Sequence, residues 1–317
     1  MGFKDRFLLA KKIIMSPERR WVALSRTQIG HMIPDQTYLS RFFYLRMGYR
    51  LNFDNPESFN EKINWLKLND HNPIYKTMVD KYMAKEYVAK IIGDEYVVPL
   101  IGVWDRYSDI DFQHFPDRFV LKTTHDSGGV VVIRDKKSFD KAKAEKKINK
   151  SLGRNYYWFG REWPYKNIRP RIIAEEYLGD ISRRKHSNEM DEWVDYKLMC
   201  FNGKVRCSFV CTERSSGSLK VTFYDSDWKE LPFERHYPKS ACHIPKPKSY
   251  IEMVEIAEKL SDGFPFMRID FYEVAGRPIV GEITLYPGSG FEEFNPIEWD
   301  YKLGRWIDLS VVRYSMR

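Results

Sequence analysis

The hydrophobic and polar positions divide the chain into a helical first part and a strand-rich second part. In the first part, the stretch NPESFNEKINWLKL predicts a helix whose capping box pairs Ser58 with Glu61. A second amphipathic helix is predicted over 79–92 and ends at Gly93. Residues 1–75 are therefore expected to consist mostly of helices and loops.

From residue 118 onward, short apolar runs predict β-strands with helices placed between them. The strand patterns include RFVLKTT, GVVVIRD, RIIAEEYL, VDYKLMCFNGKVRCSFVCTER and LKVTFYDSDW. The helical patterns between them are SFDKAKAEKKINKSL and SYIEMVEIAEKLSDGF. Strands in runs with interposed helices are typical of an α+β fold, here with two antiparallel sheets and a cleft between them.

Positive charge is concentrated at the start of the chain. Residues 1–50 contain ten Lys and Arg against three Asp and Glu, a net charge of +7, while all 317 residues carry +8. Within residues 1–22 the basic positions alternate with large apolar ones, as in amphipathic helices that lie on anionic membranes. The alternative is a helix packed on its own domain. No nucleic-acid partner is predicted, because the remaining charge is balanced and no nucleic-acid motif occurs.

Neither a membrane-spanning segment nor a disulfide framework is predicted. No apolar run reaches the roughly 18 residues that a membrane helix requires. The four cysteines show no paired spacing, which fits a reducing cytoplasm. We therefore expect a cytoplasmic protein, with residues 1–22 as a peripheral contact to the inner face of the cell membrane.

The hairpin MRIDFYEVAGRPIVGEITLYPGSG places two carboxylates on neighbouring strands. We expect a turn of odd length, such as a three-residue loop with Gly276 in the left-handed conformation, so that Asp270 and Glu282 share a face. Strand alternation then adds Arg268 and Thr284 to that face. Two carboxylates so close together suit Mg²⁺, which also accepts waters and substrate phosphates. The alternative is an exposed polar face without a metal.

The stretch FVLKTTHDSGGVVVIRD has the composition of a phosphate-binding loop between two strands. Ser127, Gly128 and Gly129 are small enough for backbone N–H groups to converge on an anion. Lys122, at the end of the first strand, would add a point charge to a phosphate. An ordinary hairpin with a glycine turn is the alternative.

The strand RIIAEEYLGD ends in acids and offers a hinge for an adenine base. Its main-chain groups would bind the adenine edge, with Tyr177 or Leu178 covering the ring. Glu175 would accept a hydrogen bond from the exocyclic amine, and Asp180 would bind the ribose hydroxyls. Taken alone, the segment also fits a solvated strand end.

The order of these segments along the chain resembles the ATP-grasp superfamily, in which two α+β subdomains hold ATP between them. Within it, the motifs FNEKINWLK, VDKY, LKTTHDSGG and RIDFYEVAGRPIVGEITLYPGSG are similar to the TupA-like branch, which takes its name from a teichuronopeptide biosynthesis protein. The resemblance spans roughly 55–305. It implies a place in bacterial surface-polysaccharide biosynthesis.

The resemblance also implies site residues, position by position. The ATP-binding positions that it implies are Lys122, Ser127, Gly128, Gly129, Glu175, Glu176, Tyr177 and Leu178. It implies Asp270 and Glu282 as ligands of Mg²⁺, and Arg268 as the group that stabilises the developing oxyanion. Many ATP-grasp ligases read Glu-x-Asn in the last strand, whereas this chain has Glu282-Ile283-Thr284. The Thr284 hydroxyl would then ligate the ion or orient its water.

The loop that follows Thr284 is a candidate substrate contact, and so are the side chains of Lys197 and Arg214. The loop residues expected to line the acceptor site, unless the loop is only a turn, are Pro287, Gly288, Ser289 and Gly290. Lys197 is expected either to meet the γ-phosphate or the substrate carboxylate, or to pair with Asp195. Arg214 is a further candidate for substrate binding.

Together these features predict a basic helical region over 1–75 and an ATP-grasp domain over 76–317. Within that domain, about 118–180 form the nucleotide lid and about 190–310 carry the metal and substrate sites. The expected activity is an ATP- and Mg²⁺-dependent carboxylate–amine ligase acting through an acylphosphate. It would join an amino acid or amine to a uronic acid of a surface polysaccharide. The alternatives are a metal-dependent glycosyltransferase using a nucleotide-sugar, and a binding protein that has lost catalysis.

Overall fold

Two antiparallel sheets with helices around them form the scaffold, as the sequence pattern predicts. The computed structural model describes residues 16–179, 194–213 and 218–313. Its helices are α1 (Pro17–Leu24), α2 (Gln28–His31), α3 (Asp35–Met47), α4 (Phe59–Asn69), α5 (Tyr75–Val79), α6 (Met83–Ile92), α7 (Lys141–Leu152), α8 (Tyr157–Gly160), α9 (Tyr250–Ser261) and α10 (Glu298–Trp306). Its strands are β1 (Leu100–Trp104), β2 (Phe119–Thr123), β3 (Val130–Ile133), β4 (Ile172–Glu176), β5 (Asp195–Phe201), β6 (Lys204–Thr212), β7 (Lys220–Asp225), β8 (Glu234–Arg235), β9 (Phe266–Val274), β10 (Arg277–Thr284) and β11 (Phe294–Asn295).

The smaller sheet has four strands in the order β1-β4-β2-β3. Alternation along β2 buries Phe119 and Leu121 in an apolar core that also contains Ile148 of α7. The opposite face carries Lys122 and Glu175, whose side chains meet across β2 and β4. One face of this sheet therefore stabilises the fold, and the other is polar.

The larger sheet has five strands in the order β10-β9-β5-β6-β7. Its apolar face packs on α9 through buried residues such as Met253 and Ala257. Helix α4 joins the same core, because the Phe59 ring lies 5.1 Å from the ring of Phe266 and 6.1 Å from that of Phe201. A short two-stranded sheet pairs β8 with β11, and β11 directly precedes α10 in the chain.

The predicted capping box is confirmed, but the second predicted helix begins later than expected. The Ser58 side chain accepts from the backbone N–H of Glu61, and the Glu61 carboxylate accepts from the N–H of Ser58. Helix α6 begins at Met83 rather than at residue 79. The reason is Asp80, whose carboxylate accepts hydrogen bonds from the N–H groups of Tyr82 and Met83 and so marks a helix start.

The β9–β10 hairpin brings the two predicted carboxylates together by a different route from the one expected. Its loop has two residues, Ala275 and Gly276, both left-handed, where a three-residue loop was predicted. The left-handed Gly276 is confirmed. A β-bulge at Gly281 supplies the extra residue, so that Glu282 pairs directly with Asp270. The shared face is therefore correct, but its cause is the bulge and not the turn.

The N-terminal helices pack on the rest of the chain through an aromatic cluster. The Trp21 ring stacks on Tyr38 at 5.7 Å, and its Nε1 donates to the Tyr38 carbonyl at 3.3 Å. Tyr38 in turn donates to the Phe159 carbonyl at 3.0 Å. The end of the predicted 1–22 helix is thus packed on its own domain, while residues 1–15 lie outside the described residues. Among the helices of the described ranges, none is long and apolar enough to cross a membrane.

Candidate active site

A cleft between the two sheets collects charged side chains from both. Three lysines and two glutamates line a cavity there, together with apolar side chains of α5, α6 and β10. The charged residues are Lys81, Lys85, Lys122, Glu175 and Glu282. Val97 and Val280 close the cavity through a parallel bridge between their backbones. The cleft thus combines apolar lining with a few charged side chains, as ligand-binding pockets commonly do.

Glu175 holds two of these lysines at the small-sheet side of the cleft. Its carboxylate oxygens lie 2.6 Å from Lys122 Nζ and 2.7 Å from Lys85 Nζ, and its side chain is buried. Burial alone would raise the pKa of Glu175, but the two ammonium groups outweigh it and lower that pKa to about 2. Glu175, predicted to meet the adenine amine, is therefore an ionised partner of two cations.

Lys85 is a cleft residue that sequence reasoning missed. Burial lowers its pKa, and the Glu175 carboxylate opposes that shift. Lys81 lies four residues earlier, and its Nζ donates to the Asp126 carbonyl at 2.5 Å and lies 4.0 Å from Glu282 Oε1. Lys81 precedes the first residue of α6, so helical periodicity does not place the two lysines together, and their shared site follows only from the contacts with Glu175 and Glu282.

At the large-sheet side, Asp270 is buried between two cations. Arg268 donates to both of its oxygens, with distances of 2.6 Å from Nε and 2.8 Å from Nη2. Lys197 stands opposite Asp270 on β5 and contacts its carboxylate as well as that of Asp195, the latter at 2.7 Å. Burial would raise the pKa of Asp270, but these cations hold it below its usual range. The predicted pair of Lys197 with Asp195 is thus observed, together with a contact to Asp270, whereas its contact with a phosphate or a substrate carboxylate stays a prediction.

Glu282 is the more accessible acid of the pair. Its side chain is 44% exposed and lies 4.0 Å from Arg268 Nη2. The same Arg268 nitrogen donates to Thr284 Oγ1 at 2.9 Å. The predicted shared face of Arg268, Asp270, Glu282 and Thr284 is therefore confirmed by strand register and by contacts.

The donor set of this face fits a magnesium ion. No group of three or more His, Cys, Asp or Glu suited to a metal occurs among the described residues. Mg²⁺ does not need one, because it binds through one or two carboxylates and completes its shell with waters and phosphates. Glu282, which lines the cleft, and Asp270, its direct partner on the neighbouring strand, would supply such ligands.

The loop after β2 is anchored at its base and exposed at its tip. The Asp126 carboxylate accepts hydrogen bonds from the hydroxyls of Thr123 and Ser151, which ties the loop to α7. A Cβ at Gly129 would lie 1.8 Å from Thr123 Oγ1, so only glycine fits there. Gly128 has φ +98 and open space around it. Ser127 and Gly128 are exposed and Gly129 is buried, and the phosphate-binding role of 127–129 stays a prediction.

The predicted adenine hinge runs along the end of β4. Tyr177 is buried, with the Arg118 guanidinium 5.2 Å from its ring centroid, and Leu178 packs in a small apolar cluster. The Glu176 N–H donates to the Pro99 carbonyl at 3.1 Å. Asp180 and Arg214 lie outside the described residues, and their roles stay predictions.

The predicted acceptor loop, Pro287–Gly290, is left-handed at three successive residues. Gly288, Ser289 and Gly290 have φ of +56, +54 and +66. Helix α4 holds this shape, since Lys67 Nζ donates to the Ser289 carbonyl at 2.6 Å and to its hydroxyl at 3.0 Å. A left-handed non-glycine residue is strained, so the loop depends on this support.

Lys67 and Glu162 are both buried next to Ser289. Burial lowers the pKa of Lys67 to about 7 and raises that of Glu162, whose carboxylate interacts with the Ser289 hydroxyl. Gly160 leaves room for the pair, because a Cβ there would lie 2.1 Å from Ser289 Oγ and 2.9 Å from Glu162 Oε1. Sequence reasoning missed both charged residues, since nothing local marks a contact between helix α4 and a loop more than 200 residues away.

Replacing Lys67 by Met should destabilise the fold by about 3 kcal/mol, because three buried acceptors, Asn64 Oδ1 and the carbonyl and hydroxyl of Ser289, lose their donor. Lys62→Met on the same helix is the control, with an expected loss of about 1 kcal/mol, since Lys62 makes one half-buried hydrogen bond to the Ile307 carbonyl. Urea unfolding measures both values. Equal losses in the two variants would contradict the support role of Lys67.

The depressed pKa of Lys67 predicts that the stability difference between the wild type and Lys67→Met depends on pH. An unfolded lysine keeps its proton up to a pKa of about 10.4, whereas folded Lys67 loses it near pH 7. Between these values the unfolded chain binds more protons, so the stability that Lys67 contributes rises with pH. The free energy of unfolding of the wild type minus that of Lys67→Met should therefore widen from pH 7 to pH 9. A constant or shrinking difference would contradict a depressed pKa.

Comparisons with known proteins place this geometry in a family. The model of the family described as TupA-like ATPgrasp matches residues 61–308. Among similar solved structures, D-alanine–D-alanine ligase from Helicobacter pylori is 15% identical, with 82% of this chain and 70% of that chain covered and a TM-score of 0.44. N5-carboxyaminoimidazole synthetase from Staphylococcus aureus is 17% identical, with 66% and 44% covered and a TM-score of 0.38.

A D-alanine–D-alanine ligase from Bacillus anthracis in complex with ATP is 14% identical, with 74% of this chain and 64% of that chain covered and a TM-score of 0.39. No curated protein matches the chain. The family match covers most of the chain, and it confirms the predicted resemblance, the ATP-grasp fold and the enzyme class, an ATP-grasp ligase. The protein belongs to the TupA-like ATPgrasp family.

Proposed function

We propose that the protein activates a uronic acid carboxylate with ATP and joins it to an amine, in the biosynthesis of a bacterial surface polysaccharide. The observation that carries the proposal is the cleft itself, where three lysines and Glu282 line one cavity and Asp270 pairs with Glu282 on the neighbouring strand. Phosphoryl transfer needs positioning and charge neutralisation, and these residue types supply both. The saccharide part of the proposal is supported only by membership of the TupA-like branch.

In this proposal the triphosphate lies along the lysines of the cleft. Lys122 and Lys85, now held by Glu175, and Lys81 would neutralise its charge, and the amides of 127–129 would bind phosphate oxygens. The base would lie against the apolar lining, with the 175–178 hinge at its edge. The accessible apolar lining and the adjacent cations support this orientation.

Asp270 and Glu282 would hold Mg²⁺, with Thr284 as a ligand or as the partner of its water. When bound, the ion neutralises phosphate charge and fixes the reacting groups in line. Arg268 and Lys197 hold Asp270 ionised and in place. Arg268 Nη2 already reaches Thr284, and from this position we propose that the guanidinium stabilises the oxyanion on the acyl carbon.

The chemistry proceeds in two steps. A carboxylate oxygen of the acid attacks the γ-phosphorus, and the bond to ADP breaks. The amine nitrogen then attacks the acyl carbon of the acylphosphate, the bond to phosphate breaks, and the amine gives up a proton. We propose that Pro287–Gly290 position the acceptor, with Lys67 maintaining their left-handed backbone and Lys197 close to the transferred phosphate.

Asp270→Asn and Glu282→Gln should each lower turnover by at least about 100-fold, because each removes a charge that stabilises the transition state. ADP and phosphate release is measured with ATP, Mg²⁺ and a panel of uronic acids crossed with amino acids. Glu298→Gln, an exposed acid on α10, is the control and should keep full turnover. Turnover that survives in both cleft variants would reject the metal assignment.

ATP and ADP should raise the unfolding temperature of the protein in the presence of Mg²⁺, because ligands that bind only the folded state stabilise it. UDP-sugars are the matched comparison, since the glycosyltransferase alternative predicts the opposite selectivity. Thermal shifts with each nucleotide measure this. Stabilisation by UDP-glucose but not by ATP would reject the ligase proposal.

We also propose that the basic N-terminal region contacts an anionic membrane. Replacing Lys11 and Lys12 by Gln should weaken binding to anionic vesicles by about 30-fold, at roughly 1 kcal/mol for each basic residue. Lys146→Gln with Lys150→Gln, two exposed lysines of α7, is the control for charge alone. Co-sedimentation with vesicles measures both, and an equal effect of the two pairs would contradict a specific role of the N-terminus.

A further inference from the structure

Two large apolar side chains protrude from the turn around α2. Met32 is 83% exposed, more than any other large apolar residue of the described ranges, and Ile29 is 71% exposed. Residues three apart in a helical turn point to the same side. Ile29 and Met32 therefore form one apolar tip, which we call the α2 tip.

Hydrogen bonds and close packing fix the backbone of the α2 tip on the side that faces the protein. Arg161, itself buried, donates from Nη2 to the Gly30 carbonyl at 2.8 Å, and the Thr27 hydroxyl accepts from the Gly30 N–H at 3.1 Å. The His31 ring stacks on Trp158 with centroids 3.6 Å apart. Gly30 fits so closely that a Cβ would lie 1.9 Å from the Leu24 carbonyl oxygen. The exposure of the two side chains is thus a property of a packed turn.

The described N-terminal segment that carries the tip has an excess of positive charge. Residues 16–50 contain six arginines and two acids. Both acids are already paired, Glu18 with Arg46 and Asp35 with Arg161, each at 3.2 Å. Arg19 and Arg26 are exposed close to the tip in sequence. An apolar tip with exposed arginines close to it in the sequence matches the chemistry of an anionic lipid surface, which has apolar chains below negative headgroups.

We propose that Ile29 and Met32 insert into an anionic membrane while neighbouring arginines bind its headgroups. Two side chains are too few for a stable protein–protein interface, which buries roughly 800 Å² on each partner, whereas a lipid interface accepts single side chains. This inference rests on the membrane contact proposed above and extends it to a site outside residues 1–22. It is independent of the ligase chemistry.

The full chain carrying Ile29→Ser and Met32→Ser should bind phosphatidylglycerol–phosphatidylcholine vesicles at least about 10-fold more weakly, because two apolar side chains no longer leave water. The control is Ile251→Ser on α9, where the native side chain is also 71% exposed; it should bind like the wild type. Arg19→Gln with Arg26→Gln should also weaken binding, and less so at high salt, because salt already screens these charges.

Several outcomes overturn the inference. They are no vesicle binding by the wild type, unchanged binding by the double serine variant, or equal binding to pure phosphatidylcholine. Sedimentation velocity tests the alternative that the α2 tip binds a second copy of the chain. If the wild type is a dimer and the variant with Ile29→Ser and Met32→Ser is a monomer, the tip is a dimer contact and the membrane inference is wrong. Turnover of soluble substrates, measured in parallel, should stay unchanged in the tip variants. A wild type that binds vesicles but turns over no substrate would reject the ligase proposal alone.

Discussion

The arrangement of charged side chains at the large-sheet side of the cleft depends on the Asp270 carboxylate, which is buried between Arg268 and Lys197. A bare carboxylate in that position would cost several kcal/mol, and two hydrogen-bonded cations offset this cost. The arrangement follows from strand register, because Lys197 and Glu282 stand opposite Asp270 on its two neighbouring strands. A cation that binds here must share Asp270 with groups already in place, so the accessible Glu282 is the natural first ligand.

The small-sheet side of the cleft also contains a buried acid that is paired with two cations. There Glu175 is the buried acid, and Lys85 and Lys122 are its cations. Each side of the cleft therefore satisfies its own charges without a nucleotide, which lets strongly charged residues be buried in the folded protein. A triphosphate entering the cleft would compete with Glu175 for the two lysines. Its binding is then an exchange of partners, with the ionised Glu175 as the internal competitor.

The sequence pattern predicts the faces of the sheets better than the details that produce them. Alternation along β9 and β10 correctly groups Asp270 with Glu282, because a side-chain period of two leaves few options. It does not distinguish an odd loop from a two-residue loop followed by a bulge, since both restore the same parity. Gly281 was the available signal, because a glycine inside a strand often marks a bulge. The late start of α6 has a similar cause, in that Asp80 acts as a cap within a continuous amphipathic pattern.

The site residues that the sequence did not predict are those whose partners are remote. Lys122 and the 127–129 loop stand out because their chemistry is contiguous in the chain. From helical periodicity alone, Lys85 would be predicted to be a solvated lysine. Its place in the cleft becomes evident only in the folded structure, where β4 brings Glu175 beside it. Lys67 has an even weaker local signal. It reads as one more basic position on the polar side of α4, yet it is buried against the acceptor loop.

This remote support connects the acceptor loop to the N-terminal helices. Phe291, directly after the loop, packs on Phe42 of α3 with ring centroids 4.5 Å apart. On the other side of the loop, Asn64 donates to the Gly290 carbonyl at 2.8 Å. A shift of α3 would therefore move the segment that follows β10. The helical region thus belongs to the packing that holds the candidate active site together.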